Sequence, residues 1–280
     1  MQKAIHYFFI FCILLGMVTL VSACRTNTKT IAQHSVQSSQ KLKNAVSSSQ
    51  KQANLEKNTP TTPAIPTILN DLKKKAGQTL VYSPFGDSVS VGLFADSKQS
   101  RFTTLFAHQL ARATGKQVTE QGVAVVGKTA ANLGVPQVQT IVNQHPDIVT
   151  IEFGTNDAVG GKAPATLAAF KSQLTQIVTT LQQQTQAELI LMTTWTPASG
   201  MYDVNDAAYD AEIKAVGQET KTPVLDLTPI WQNHPEVVGP PGQNIPDFAT
   251  WGGRDQYHPN QVGHDRIAAA LMNLIQQGDK

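Results

Sequence analysis

Short apolar runs alternate with longer segments of helical periodicity from about Ile68 to the end of the chain. Most of the short runs are continuously apolar, which is typical of parallel strands covered on both faces. Strands are predicted at residues 80–83, 123–126, 147–153, 188–193 and 223–227, and helices at 100–114, 130–144, 164–184, 207–218 and 261–277. This alternation predicts an α/β fold, an open parallel sheet of about five strands with right-handed crossovers.

The first 24 residues have the pattern of an export signal. Lys3 precedes an uncharged, mostly apolar run over residues 7–23, as in the charged and hydrophobic parts of a secretory signal. The run ends in Val-Ser-Ala-Cys. This ending resembles the bacterial lipoprotein box, so Cys24 is predicted to be lipidated and to become the first residue of the mature protein. The alternative is an uncleaved membrane anchor, for which the run is marginally short.

A polar segment follows the predicted signal. Residues 25–60 contain no aromatic residue, and six basic residues against one glutamate give them a net charge of +5. Such a composition cannot bury enough apolar surface to fold. The basic charge either favours an anionic surface or serves solubility. The predicted organisation is a lipoprotein signal peptide at 1–23, a lipidated cysteine with a disordered tether at 24–66, and one folded domain at 67–280.

Composition excludes several classes of protein. Charged residues make up 15% of the chain and the formal net charge is +2, which argues against a protein that binds nucleic acid through a basic face. Cys12 and Cys24 are the only cysteines, which excludes a disulfide scaffold and a cysteine-based zinc site. Because Cys12 falls in the predicted signal and Cys24 is predicted to be lipidated, cysteine catalysis is excluded as well.

The residues suited to chemistry follow the predicted strands. In an open α/β sheet the ligand site lies outside the carboxyl ends of the strands. Four clusters occupy such positions or precede the last helix: Gly-Asp-Ser with Ser88, the glycine Gly127, Gly-Thr-Asn-Asp with Asn156, and Asp-Gln-Tyr-His-Pro with Asp255 and His258. Each cluster alone is a weak signal, but their joint occurrence in this order is specific.

Ser88, His258 and Asp255 are candidates for nucleophilic catalysis. Such catalysis needs an activatable hydroxyl and a base within hydrogen-bond reach. Of the seven histidines, only His258 follows an Asp by three residues on a predicted loop. Asp255 there can accept from the imidazole N–H and fix its tautomer. Taken singly, Ser88 also fits a helix N-cap, and Asp255 also fits a turn or cap residue.

Two further residues are candidate donors to a developing oxyanion. Asn156 offers its side-chain amide at the end of a predicted buried strand, although a loop Asn can equally satisfy local backbone. Gly127 offers its N–H and permits close approach, although a plain strand-to-helix turn also explains a glycine there. Asp87 and Asp157 are interpreted as structural residues that bond nearby backbone.

Together these residues resemble the SGNH hydrolases, also called GDSL esterases and lipases. The family's marks are a Ser in Gly-Asp-Ser, a Gly, an Asn in Gly-x-Asn-Asp and a His in Asp-x-x-His-Pro, which occur here as Ser88, Gly127, Asn156 and His258, with Val89 in place of the Leu of the older motif name. The resemblance spans residue 80 to the C-terminus. It implies a flavodoxin-like three-layer α/β/α sandwich, a triad completed by Asp255, and an oxyanion hole formed by the N–H groups of Ser88 and Gly127 with the Asn156 amide.

Other motifs fit less well. Residues 122–129 read Gly-Val-Ala-Val-Val-Gly-Lys-Thr and match the P-loop pattern. A P-loop follows a buried strand, whereas residues 117–121 are mostly polar, and three of the four residues between the glycines are Val, which favours strand. The Gly-x-Ser-x-Gly elbow is absent because Ser90 replaces its second glycine. No His-Glu-x-x-His motif occurs, and neither a metal nor a cofactor is expected.

The sequence therefore predicts a serine esterase anchored to the outer face of the bacterial cytoplasmic membrane. Its partners are expected to be that membrane, through Cys24, and an ester substrate (a lipid, an O-acylated glycan or a small ester), with no nucleic acid. One alternative is a surface O-acyltransferase, because water and an alcohol attack the same acyl-enzyme. The other is a non-catalytic binding lipoprotein, against which the joint presence of Ser88, Asp255 and His258 argues.

Overall fold

The computed structural model describes residues 66–197 and 203–278, without the side chains of residues 203 and 204. The predicted signal peptide, Cys24 and all but the last residue of the predicted tether lie outside the described residues. Within the described part of the chain, no helix combines the length and the apolar character that a membrane span requires.

Strands and helices alternate along the described chain. The strands are β1 (Thr79–Gly86), β2 (Gln117–Glu120), β3 (Val123–Ala124), β4 (Ile148–Glu152), β5 (Glu188–Met192) and β6 (Val224–Leu225). The α-helices are α1 (Ile68–Lys74), α2 (Ser88–Val91), α3 (Phe102–Thr114), α4 (Val135–Asn143), α5 (Pro164–Gln184), α6 (Asp203–Thr220), α7 (Thr228–Trp231) and α8 (Gln261–Gln276). A π-helical turn, Ala130–Gly134, precedes α4, and short 3₁₀ turns occupy Lys98–Ser100, Asp157–Gly160, Pro235–Val237 and Pro246–Trp251.

The strands form one parallel sheet in the order β2-β1-β4-β5-β6, with β3 also paired to β1. The central pair joins Tyr82–Gly86 of β1 to Ile148–Glu152 of β4. The prediction of an α/β fold with a parallel sheet is confirmed, and the sheet has six strands where about five were expected.

The additional strand is β2, which lies at the edge of the sheet. Its side chains alternate between exposed and half-buried, so it lacks the continuous apolar run on which the prediction relied. Gly122 separates β2 from β3. It has a φ of +136°, and a Cβ there would lie 2.2 Å from the carbonyl oxygen of Pro84 in β1. Close approach to β1 at this point therefore requires glycine.

Side chains of alternate strand residues enter two separate cores, one on each face of the sheet. Ile148, Ile190 and Met192 pack with α1, α3 and α8 on one face. Val149, Ile151 and Leu191 pack with α4, α5 and α6 on the other. Since the central strands are covered on both sides, they are mostly apolar, and the layers are helix, sheet, helix.

The helices follow the sequence pattern closely. The predicted and observed bounds of α5 coincide, because a proline at its first position defines the start. The predicted helix at 130–144 is a π-helical turn followed by α4. Helix α6 begins four residues before the predicted position, and the short α1 was not predicted as a separate helix.

Candidate active site

Ser88 lies at the junction between the central strand β1 and the short helix α2. Asp87 caps this helix, because its Oδ1 accepts a hydrogen bond of 3.0 Å from the N–H of Val89. The sharp turn depends on Gly86, where a Cβ would lie 2.4 Å from Ser90 Oγ and 2.5 Å from the Glu152 carbonyl oxygen. Ser88 is itself 6% exposed, so its hydroxyl lies in a largely enclosed position.

The histidine and the aspartate of the C-terminal loop reach this serine. The Nε2 atom of His258 lies 2.9 Å from the Ser88 Oγ. The Nδ1 atom of His258 lies 2.7 Å from the Asp255 Oδ2. Because Nδ1 faces a carboxylate, it is the nitrogen that carries the proton, and Nε2 is free to accept from the Ser88 hydroxyl.

Asp255 is held by its own loop. Its Oδ1 accepts from the backbone N–H groups of Tyr257, at 2.9 Å, and His258, at 2.8 Å. Partial burial by itself raises the pKa of Asp255, but the hydrogen bonds from His258 and from these backbone groups outweigh it. The net effect lowers the pKa of Asp255 below its ordinary value, so this carboxyl group is ionised at neutral pH.

Hydrogen bonds over long sequence distances position the loop. Trp195, which follows β5, donates its Nε1–H to the Tyr257 carbonyl at 2.7 Å, and the Tyr257 hydroxyl donates back to the Trp195 carbonyl at 3.0 Å. The side chain of Asn260 donates to the carbonyl groups of Glu236, Val238 and Gly239. These contacts tie both ends of the Tyr257–His258 segment to the body of the domain.

Phe94 and Arg254 form a second support for His258. The ring of Phe94 meets the imidazole edge-on, with ring centroids 5.6 Å apart. Phe94 has a φ of +66°, a region in which side chains other than glycine are strained. The buried guanidinium of Arg254 donates to the Phe94 carbonyl at 3.1 and 2.9 Å and to Asp96 at 2.7 Å. Arg254 thus holds Phe94 in the backbone conformation that brings its ring against His258.

The candidate oxyanion donors follow two strands that pair with β1, the strand that precedes Ser88. Asn156 follows β4, and its amide nitrogen Nδ2 donates to Asp87 Oδ2 at 2.6 Å. Gly127 follows β3 and has a φ of +74°, in the left-handed region that favours glycine. Asp157 links the two loops, because it accepts from the N–H of Ala130 at 3.1 Å and from the N–H of Gly154 at 3.1 Å.

Three carboxyl groups lie behind these donors, two fully buried and one half-buried. Asp87 and Glu152 are fully buried, and the Asp87 N–H donates to Glu152 Oε2 at 3.3 Å. Burial and the charge of Asp87 raise the pKa of Glu152 well above its ordinary value. Burial raises the pKa of Asp157 to about 7, although the N–H of Ala130 opposes the rise. In the described residues, no group of three or more His, Cys, Asp or Glu side chains is arranged to hold a metal ion.

Residues 85–266 match the model of the GDSL-like Lipase/Acylhydrolase family. The chain belongs to this family. Its membership confirms the resemblance drawn from the motifs and the prediction of a carboxylic-ester hydrolase. No curated protein matches the sequence significantly.

Solved structures share the fold at low sequence identity. A lipase/acylhydrolase from Enterococcus faecalis has a TM-score of 0.55 at 20% identity, over 72% of this chain and 99% of that one. An esterase from Pseudoalteromonas sp. has a TM-score of 0.53 at 16% identity, over 71% and 97%. A catalytic mutant of an acetylxylan esterase from Geobacillus stearothermophilus has a TM-score of 0.54 at 18% identity, over 72% and 96%.

The structure brings the residues singled out by sequence into one region at the carboxyl edge of the sheet. Ser88, His258 and Asp255 form a continuous hydrogen-bonded chain. Asn156 contacts Asp87, a residue interpreted from sequence as a structural one. Sequence reasoning missed the contributions of Arg254, Phe94 and Glu152, and no motif marks them, since their partners lie between 62 and 164 residues away.

The segment that resembles a P-loop is built differently from a phosphate-binding loop. Val123 and Ala124 pair with Phe85 and Gly86 of β1, and the N–H of Val125 donates to the Gly86 carbonyl at 3.2 Å. A strand does precede Gly122, contrary to the interpretation of residues 117–121 as merely polar, but it is the half-exposed edge strand β2. The residues between the two glycines continue the sheet instead of encircling an anion.

Proposed function

We propose that this chain is a membrane-tethered, extracytoplasmic serine esterase that uses Ser88 as nucleophile. The observation that carries the proposal is the 2.9 Å contact between His258 Nε2 and Ser88 Oγ, in a pair of residues 170 positions apart. A binding protein has no need of an imidazole that accepts from a buried serine and is itself oriented by a carboxylate.

The proposed reaction begins when the Ser88 oxygen attacks the ester carbonyl carbon and His258 Nε2 takes the hydroxyl proton. The C–O bond to the alcohol then breaks, and His258 returns the proton to the leaving alcohol. Water attacks the acyl-enzyme in the second half of the reaction, again with His258 as base, and releases the carboxylic acid and the free Ser88 hydroxyl.

Asp255 serves both halves of this cycle. Its carboxylate fixes the His258 tautomer with the proton on Nδ1 and stabilises the imidazolium that forms when Nε2 accepts the second proton. The hydrogen bonds that lower the pKa of Asp255 keep it ionised while His258 is charged.

The negative charge that develops on the carbonyl oxygen requires donors. We assign this role to the N–H groups of Ser88 and Gly127 and to the amide of Asn156. The Ser88 N–H belongs to the first turn of a helix, where N–H groups have no partner within the helix. Asn156 uses one amide hydrogen toward Asp87, and its second amide hydrogen is the one assigned to the oxyanion.

Covalent labelling tests the assignment of Ser88 as the nucleophile. The full chain should react with a fluorophosphonate probe and hydrolyse a short-chain aryl ester, and Ser88→Ala should abolish both. Ser172→Ala is the matched control, because Ser172 is exposed on α5. Labelling that persists in Ser88→Ala, or an active Ser88→Ala enzyme, would reject Ser88 as the nucleophile. Release of the free acid, measured beside transfer to an added sugar hydroxyl, separates hydrolysis from acyl transfer.

The membrane tether rests on the sequence alone. Residues 7–23 and the Val-Ser-Ala-Cys sequence ending at Cys24 support export followed by lipidation. Two or more acyl chains are needed for stable anchoring. When the full chain is expressed in a bacterium, it should incorporate labelled fatty acid and lose residues 1–23, and Cys24→Ala should do neither. A wild-type chain that takes up no fatty acid and keeps residues 1–23 would instead indicate an uncleaved anchor.

The substrate is proposed to be a carboxylic ester that reaches the outer face of the membrane. Among the proteins that share the fold, one is named an acetylxylan esterase and another a lipase/acylhydrolase, so polymer-bound and lipid esters are both represented. A panel of esters that varies acyl length and alcohol separately identifies the preferred class by kcat/KM.

A further inference from the structure

Glu152 is a fully buried acid at the carboxyl end of β4, directly beside the nucleophile turn. Its Oε2 accepts from Ser90 Oγ at 3.0 Å and from the N–H of Asp87 at 3.3 Å. Its Oε1 is also buried, and no N–H or O–H group of the described residues donates to it. A charged carboxylate left in this way would be costly, because burial away from donors penalises the ionised form.

The neighbouring side chain explains how Glu152 is accommodated. Glu152 and Asp87 are both fully buried, and the Asp87 N–H donates to Glu152 Oε2, so two carboxyl groups lie side by side away from water and do not both ionise. Asp87 accepts from the Val89 N–H at 3.0 Å and from the Asn156 amide at 2.6 Å, and both donors favour its charged form. Glu152, whose Oε1 receives no donor from the described residues, is therefore the protonated member.

This arrangement extends to the candidate oxyanion donor. The Asp87 Oδ2 receives one of the two amide hydrogens of Asn156. With a carboxylate as acceptor, the Asn156 amide cannot rotate by 180°, because its carbonyl oxygen would then face a negative charge. The direction of the second amide hydrogen is thus set by Asp87, and the position of Asp87 is set by Glu152.

We propose that Glu152 is a positioning residue for the oxyanion hole, acting as a buried neutral acid that holds Asp87 and, through Asp87, the amide of Asn156. The inference rests on the proposed function and adds a residue that touches neither substrate nor nucleophile. Its consequence is specific: loss of the Glu152 hydrogen bonds should reduce kcat and leave KM nearly unchanged, since the oxyanion exists only in the transition state and the intermediate.

Substitution by Gln and by Leu separates hydrogen bonding from packing. Glu152→Gln keeps the shape, the neutral charge and an acceptor toward Ser90 and the Asp87 N–H, so kcat should stay within about threefold of the wild type. Glu152→Leu removes all of these hydrogen bonds and should lower kcat by about 10- to 100-fold, in the range that a misplaced catalytic group costs. Glu219→Leu is the matched control, because Glu219 is exposed and pairs with Lys171 on the surface.

A double-mutant cycle with Asn156 distinguishes positioning from a general loss of structure. If Glu152 acts through Asn156, then Glu152→Leu should lower kcat by less than about threefold in an Asn156→Ala background. An equal loss in both backgrounds would overturn the proposal. Glu152→Asp is the second variant should Glu152→Leu not fold, because its shorter side chain withdraws the carboxyl group from the Asp87 N–H and from Ser90. Its kcat should fall at least about tenfold, and an unchanged kcat would also overturn the proposal.

The two proposals fail in different ways. A wild-type chain that hydrolyses no ester and takes up no fluorophosphonate would overturn the proposed function, and this inference with it. An active wild type whose Glu152→Leu variant keeps full kcat would overturn the inference alone.

Discussion

The two halves of the candidate active site are held by different means. Ser88 and Asn156 follow β1 and β4, the central strands, which pair over five positions. Asp255 and His258 lie on a C-terminal loop that meets other segments through isolated bridges, such as that between Val238 and Pro259. The side chain of Asp255 is 40% exposed, whereas the side chains of Asp87 and Glu152 beside Ser88 are fully buried.

This difference shows how one site combines backbone and side-chain control. The sheet half of the site consists of Ser88 and Asn156, and the loop half consists of Asp255 and His258. Strand register and the Gly86 turn fix the sheet half, so single side chains there adjust only the direction of hydrogen-bond donors. The loop half depends on individual side chains, chiefly Trp195, Arg254 and Asn260, each of which bridges a long sequence separation. Single substitutions should therefore disturb the loop half more easily than the sheet half.

The largest effect is expected from Asp255→Asn, which alters the loop half without removing volume. The amide cannot fix the tautomer of His258 or stabilise the imidazolium, so kcat should fall by about 10³–10⁴-fold. Steady-state kinetics on a short-chain aryl ester measure this loss. Asp265→Asn, on the exposed face of α8, serves as control. A loss below about tenfold would show that His258 is oriented by other contacts.

Asn156→Ala tests the sheet half of the comparison. Loss of one oxyanion donor should lower kcat by about 10²–10³-fold with little change in KM. The exposed Asn143 at the end of α4 provides a matched Asn→Ala control. A change of less than about threefold would assign Asn156 to the scaffold and leave the oxyanion to the backbone donors.

Arg254→Met sharpens the contrast, because Arg254 supports the loop half without touching the reacting atoms. The substitution leaves the Phe94 carbonyl without its guanidinium partner and frees Phe94 from its strained backbone conformation. We expect kcat to fall about tenfold and the free energy of unfolding to fall by about 2–4 kcal/mol. Arg266→Met, which removes a surface ion pair with Glu236, should cost less than about 1 kcal/mol. Equal losses of stability in the two variants would contradict a special role for Arg254.

Asp157→Asn should affect stability more than catalysis. The pKa of Asp157 is raised to about 7 in the folded protein, so between its unfolded value near 3.8 and pH 7 the folded state retains a proton that the unfolded state has released. The free energy of unfolding of the wild type therefore falls as the pH rises through this window. We expect the free energy of unfolding of Asp157→Asn, relative to that of the wild type, to increase by on the order of 2–4 kcal/mol between pH 4 and pH 8. Chemical denaturation of both proteins at the two pH values measures this change. The same difference at both pH values would mean that the pKa of Asp157 is not raised in the folded protein.

The sequence was sufficient for the parts of this molecule that local pattern determines. The bounds of α5 follow from its starting proline and its periodicity, and the mostly apolar strands β4 and β5 mark the buried sheet. Edge strand β2 escaped prediction because only half of its side chains are covered, which leaves a mostly polar sequence.

The candidate site divides in the same way. Ser88 stands in a short motif at a strand end, where a parallel sheet places its ligand site, and His258 stands in a short motif just before the last helix. Arg254 and Glu152 carry no local signal. Arg254 acts through its hydrogen bonds to the Phe94 carbonyl, and Glu152 acts through its hydrogen bond with Asp87. Both partners lie far away in sequence. Such residues are found only when the strands and loops have been assembled.

The interruption of the sheet edge at Gly122 has a consequence for association between copies of the chain. Within the part of the chain that the structure describes, an incoming extended segment would find the four residues of β2 and the two of β3 on one edge, and the two of β6 on the other. Such short and interrupted edges offer few backbone groups for strand pairing between molecules. The close approach of Gly122 to Pro84, which interrupts this edge, thereby disfavours the kind of edge-to-edge stacking that leads to aggregation.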